Sequence, residues 1–275
     1  MHRRSKLAYS QLVVALAVAL LARAAQPAQS AAGASNPAAV TTIVLVHGAF
    51  ADSSSWNGVI PKLLADGDAV IAVANPLRGL ASDAAYVSGV VKSVTGPVVL
   101  VGHSYGGAVI SNAAVGNANV KALVFVAAFA PEPGESAFGL NGKFPGSILG
   151  DALATPVALS TGGHDLYVKQ AAFRAPFAAD LPAKQASLMA ATQRPITEAA
   201  GNEPSGEIAW KRLPSWFIYG SADQAIPPKL HAFMAQRAGA RRVEVVNGAS
   251  HVVMISHADA VAKMIREAAH ATAGS

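Results

Sequence analysis

Short runs that are apolar throughout alternate along this chain with longer stretches in which apolar residues recur at helical spacing. Residues 41–46 are β-rich and end in His47-Gly48, which predicts a buried strand followed by a turn. Residues 54–66 have a helical pattern that stops at Asp66-Gly67-Asp68, and 69–74 give a second strand. A helix is expected over 82–95 with Ser82 as N-cap, a third strand over 97–101 and a helix over 105–115. A fourth strand falls at 121–128. Strands recur at 215–219 and 242–246, each followed by a helical pattern, and the last helix runs from about 258 to 270. Strands that alternate with helices imply an α/β fold with a mostly parallel, roughly six-stranded sheet and helices on both faces.

The rhythm breaks between residues 131 and 207. Eight prolines fall there, from Pro131 to Pro204, among short helical pieces such as 183–193. Phe138, Phe144, Phe173, Phe177 and Met189 make the segment too apolar for a solvated linker. It is expected to be a cap inserted over the carboxyl ends of the strands, where such sheets bind ligands, with the core formed by 41–130 and 208–275.

Composition adds the cellular setting. The formal charge of +5 suggests an anionic partner, but Arg3, Arg4, Lys6 and Arg23 all precede the first acidic residue, Asp52. Without those four, 17 of the 21 Lys and Arg residues remain against 16 Asp and Glu, so no nucleic-acid partner is expected. The basic start, the apolar run over 7–22 and the small residues after it read as a cleavable export signal occupying about residues 1–34. The run is too short to span a bilayer, so no further membrane contact is expected and the product is periplasmic or secreted. With no cysteine in the chain, the core alone must hold it together.

The strongest chemical signal is Gly102-His103-Ser104-Tyr105-Gly106, with a strand leading in and a helix leading out. That context suits a nucleophile elbow, a tight turn that lifts a serine above the sheet at a helix N-terminus. A serine hydroxyl needs a base, and the base needs a third group to orient it. His251 follows the strand that ends at Val246, and Asp223 follows the one that ends near Tyr219, so both fall at the carboxyl edge of the sheet with Ser104. His103, inside the elbow, is expected to point away from the reacting face. The oxyanion of an acyl-transfer intermediate needs two backbone N–H donors; Tyr105 and Ala49 are the candidates, with Phe50 second to Ala49. His47 is expected to brace the Ala49 loop by hydrogen bonding. Phe50 and Phe129, with Tyr105, suggest an apolar pocket for an uncharged, hydrophobic substrate. No zinc-protease, phosphate-loop or dinucleotide glycine pattern occurs, so neither a metal nor a cofactor is expected.

With these residues in place the chain resembles the α/β-hydrolase superfamily. It is similar in particular to bacterial esterase-like hydrolases related to the plant methylesterase and hydroxynitrile lyase group. The resemblance spans about 41–270 and rests on V-L-V-H-G-A-F ending at Phe50, V-L-V-G-H-S-Y-G-G ending at Gly107, W-F-I-Y-G-S-A-D ending at Asp223 and G-A-S-H ending at His251. It implies a serine carboxylic-ester hydrolase that works through an acyl-enzyme. The resembling lyases carry a threonine where Gly48 stands and a lysine where Val252 stands, so ester hydrolysis is implied over lyase chemistry. A lactonase or perhydrolase would use the same triad, and a non-catalytic small-molecule receptor would keep the fold without turnover. Substrate identity and oligomeric state are not legible.

Overall fold

The structure is a computed structural model that describes residues 40–273; the expected export signal lies outside the described residues. The chain runs β1 (Thr42–Val46), α1 (Ile60–Ala65), β2 (Ala69–Val73), α2 (Leu80–Lys92), β3 (Val98–His103), α3 (Tyr105–Ala113) and β4 (Val120–Val126). Next come α4 (Ala137–Gly142), α5 (Leu149–Ala152), β5 (Val157–Ala158), β6 (His164–Leu166), α6 (Arg174–Phe177), α7 (Ala183–Thr192), β7 (Ile196–Thr197) and α8 (Glu198–Asn202). The chain closes with β8 (Ser215–Gly220), α9 (Pro228–Arg237), β9 (Arg242–Val246), α10 (Val253–Ser256) and α11 (Ala258–Thr272).

Six strands form one sheet in the order β2-β1-β3-β4-β8-β9, and every neighbouring pair is parallel. The central strands β1, β3, β4 and β8 are almost wholly buried, as their largely apolar sequences require of strands covered on both faces. β9 lies at the edge, and its alternating sequence leaves Val243 and Val245 exposed. α1 packs with α11, and α2 with α3, giving helices on both faces of the sheet. α11 shows the expected amphipathic spacing, burying Val261, Ala262, Met264, Ile265, Ala268 and Ala269.

Strand order fixes where chemistry can occur. From β1 the chain moves outward to β2 and then returns to place β3 on the other side of β1. The loops that leave β1 and β3 therefore part at a crevice above the carboxyl ends of the two strands. Gly48-Ala49 occupies one loop and Ser104 the other.

Two local expectations change. Residues 53–65 are not one helix: a 3-10 turn over Ser53–Trp56, capped by Asp52, precedes α1. α2 starts at Leu80 behind Gly79, and the Ser82 hydroxyl bonds back to the Gly79 carbonyl instead of capping. The α2 N-terminus is held by the Glu203 carboxylate, which accepts from the N–H groups of Leu80 and Ala81.

The segment between β4 and β8 holds α4–α8 and a small antiparallel sheet, β5-β6-β7. It is tied down at several points. Arg78 pairs with Asp165 at 2.7 Å, Phe50 N–H donates to the Arg194 carbonyl at 2.9 Å, and Ser250 bonds Asp180.

Candidate active site

Ser104 stands between β3 and α3 at φ 54° and ψ −125°, a strained positive-φ conformation that costs a non-glycine residue about 1–3 kcal/mol. Close packing holds it there. A Cβ on Gly106 would stand 2.4 Å from the Val46 carbonyl oxygen, so only glycine lets the elbow seat on β1. The Ser104 carbonyl accepts from Phe129 N–H at 3.0 Å, which ties the turn to the loop after β4. A Cβ on Gly48 would lie 2.5 Å from Ser104 Cβ and 3.1 Å from the Tyr105 nitrogen, so the β1 loop touches the elbow directly.

That loop holds Ala49 and Phe50, and the elbow holds Tyr105. Phe50 N–H is spent on the Arg194 carbonyl, whereas Ala49 N–H and Tyr105 N–H have no acceptor among the described residues. Of the two residues considered for the β1 side of the hole, Ala49 thus keeps its donor free. His47 braces the loop as expected. Its Nδ1 lies 2.9 Å from the Gly48 carbonyl, and its Nε2 accepts from Asn75 N–H at 3.1 Å. The first contact needs Nδ1–H and the second a bare Nε2, a neutral tautomer that agrees with burial lowering its pKa to about 4.

Asp223 and His251, delivered by the loops after β8 and β9, meet directly: His251 Nδ1 lies 2.8 Å from Asp223 Oδ2. Both side chains are at most 1% exposed. The other carboxylate oxygen, Oδ1, accepts from the N–H groups of Ala225 and Ile226 at 2.8 and 2.9 Å. Burial alone would raise the Asp223 pKa, but the charge of His251 and hydrogen bonds from His231 and His251 hold it below the ordinary carboxylate range. An ionised carboxylate only accepts, so His251 donates through Nδ1; in the neutral imidazole Nε2 then presents a lone pair. That Nε2 is buried with no hydrogen-bond partner, so it makes no bond to Ser104 Oγ.

His103 contacts the base. Its ring is 4.8 Å from the His251 ring, and its Nε2 lies 3.3 Å from the His251 carbonyl, so it supports the base from behind. Burial first, and then the charge of His251, lower its pKa well below the usual histidine value. The sequence reading also missed His231, whose Nε2 reaches Asp223 Oδ2 at 3.0 Å. Its place on the helix after Pro227-Pro228, one turn from the acid loop, was the available signal.

Beside Ser104 is a cavity of about 30 Å³. Phe50, Phe129 and Tyr105 line it as expected, joined by Phe138, Asn141, Phe177 and Ile196 from the segment between β4 and β8. The Tyr105 hydroxyl turns aside to donate to buried Asp83 at 2.9 Å. Asn141 donates through Nδ2 to Ser147 Oγ and the Ala225 carbonyl, leaving Oδ1 buried and unpartnered. Apart from Ser104 and Asn141 the lining is apolar in character. Among the described residues no cluster of His, Asp or Glu is arranged to hold a metal ion.

Comparison with known proteins agrees with this fold. Residues 43–264 match the family model described as the alpha/beta hydrolase family. Alpha/beta hydrolase nvfD of Aspergillus novofumigatus (strain IBT 16806) is 30% identical over 187 residues, 62% of this chain and 70% of its own. The crystal structure of polyneuridine aldehyde esterase superposes with a TM-score of 0.71 at 21% identity, covering 84% of this chain and 99% of its own. Methylesterase MES16 from Arabidopsis superposes with a TM-score of 0.69 at 17% identity, over 84% and 99%. Both likenesses are likenesses of fold.

Proposed function

The chain belongs to the alpha/beta hydrolase family, and on that premise we propose that it is a serine carboxylic-ester hydrolase using Ser104, His251 and Asp223. Ser104 Oγ attacks the ester carbonyl while His251 Nε2 accepts its proton. The imidazolium so formed is stabilised by Asp223, and the N–H groups of Tyr105 and Ala49 hold the oxyanion. Collapse breaks the bond to the alcohol, which leaves with the proton from His251 and forms the acyl-enzyme. Water, deprotonated by the same imidazole, then releases the acid. The carrying observation is the 2.8 Å contact of His251 Nδ1 with buried Asp223, which leaves His251 Nε2 without a hydrogen-bond partner.

The apolar lining supports an uncharged, hydrophobic acyl or alkyl group, and the names of the two esterases of like fold support ester chemistry. Lyase chemistry lacks support: residue 48 has no room for a side chain, and buried Val252 supplies no cation beside His251. The basic and apolar start of the chain supports export with cleavage near residue 34, which N-terminal sequencing of the mature protein would test.

The direct test is hydrolysis of p-nitrophenyl acetate and butyrate by the full chain beside Ser104→Ala, His251→Ala and Asp223→Asn. Turnover by the wild type and a loss of about a hundredfold or more in each variant are expected. A folded wild type that holds ligand without cleaving it would sink the proposal.

A further inference from the structure

Asp223 does not serve His251 alone. His231, on α9, brings Nε2 to 3.0 Å from the same oxygen, Oδ2, that His251 Nδ1 reaches at 2.8 Å. The His231 side chain is 1% exposed, and its ring stacks on Tyr219 with centroids 4.7 Å apart and planes at 20°. Nothing in the serine relay uses it.

We propose that His231 is a positioning residue that shares Asp223 Oδ2 with His251 and thereby sets how strongly the acid supports the base. This rests on the Ser104, His251 and Asp223 reading. Four donors saturate the carboxylate: two backbone N–H groups on Oδ1 and two imidazoles on Oδ2. Its plane cannot swing away from His251. An oxygen that accepts from two rings also offers each less charge than it would offer one. When His251 takes the serine proton its bond to Oδ2 tightens, and His231 competes against that step. The second histidine therefore fixes geometry and restrains the basicity of His251.

For this role His231 must be the neutral Nε2–H tautomer. Its Nδ1 is buried near the Ala128 carbonyl without closing a hydrogen bond of normal geometry. The titratable groups facing the pair are few. β8 contributes Tyr219, and the elbow contributes His103 beside the His251 ring. On α9 itself Lys229 is exposed, and Arg237 is engaged by Glu135 at 2.7 Å. None of them accepts a hydrogen bond from His231.

The test compares full-chain wild type, His231→Leu and His231→Gln by the pH dependence of kcat/KM on p-nitrophenyl butyrate. The glutamine amide places a donor where the imidazole Nε2 stood; leucine places none. In His231→Leu kcat falls about tenfold with KM nearly unchanged, and the acid limb moves up by about half to one pH unit. His231→Gln returns both to within about twofold. A wild-type profile in folded His231→Leu, or a folded His231→Gln as impaired as His231→Leu, overturns the proposal while the triad reading stands if Ser104→Ala is inactive. Full activity in Ser104→Ala overturns that reading and this inference with it. Nitrogen-15 NMR of the wild-type imidazoles needs no variant to fold: His231 as the Nε2–H tautomer is expected, and an Nδ1–H tautomer overturns the role.

Discussion

The ring of Phe177 packs edge-on against the imidazole of His251, with centroids 5.0 Å apart and planes at 63°. Phe177 comes from α6, between β4 and β8, and His251 from the loop after β9, so this contact joins the inserted segment to the base of the proposed relay. The same ring meets Phe50 at 6.2 Å and His103 at 6.3 Å and forms part of the cavity wall beside Ser104. The space beside Ser104 is narrow, about 30 Å³. Phe177 stands where it would restrict what reaches Ser104.

Removing that ring is therefore expected to relax chain-length selection. In Phe177→Ala the ratio of kcat/KM for p-nitrophenyl hexanoate over acetate should rise about tenfold. The truncation should also destabilise the fold by about 3–5 kcal/mol, as loss of a buried phenyl group does. Steady-state kinetics and urea denaturation of both proteins measure the two effects, and an unchanged ratio would show that Phe177 does not restrict the site.

Gly48 is expected to be intolerant of any side chain, because a Cβ there would stand 2.5 Å from Ser104 Cβ and 2.8 Å from the His103 carbonyl oxygen. Gly48→Ala must push the Ala49 loop and the elbow apart. A displacement of about 1 Å between reacting groups can cost about a hundredfold in rate. Esterase assays should show a loss of that order in kcat, with the variant still folded by circular dichroism. Wild-type kcat in Gly48→Ala would refute the close contact between loop and elbow.

Stability should fall on the acid side sooner than carboxylates alone would cause. Burial holds His47 at about 4 and lowers His103 and His231 as well, whereas an unfolded histidine titrates near 6.5. Above about pH 6.5 neither state binds these protons and stability is full. As pH falls towards about 4 the unfolded chain binds protons the native state refuses, at up to about 1.4 kcal/mol per pH unit for each histidine. Depressed Asp223 adds to the loss at still lower pH, and Asp83, raised by burial, opposes it there. Urea midpoints should therefore drop clearly between pH 7.5 and pH 5, and equal midpoints would contradict the buried neutral histidines.

Much of this was legible in the sequence because it rests on local pattern. The apolar runs gave all six strands of the main sheet within a few residues, and the order Ser104, Asp223, His251 along the chain placed each on a loop at one edge of that sheet. What was not legible depends on contacts between distant residues. The start of α2 is set by Glu203, 123 positions from Leu80, so a local N-cap at Ser82 was the natural but incorrect reading. The contact of His103 with His251 joins residues 148 positions apart and has no local signal. The role of Asp223 as acceptor for two histidines needed the register of α9 over β8.

The most direct test of the central claim is covalent labelling of the full chain with a fluorophosphonate, read by intact mass and peptide mapping. The account predicts one adduct per chain, on Ser104, forming at least about a hundredfold more slowly in His251→Ala. No adduct on the folded wild type, or an adduct on another residue that persists in Ser104→Ala, would contradict it.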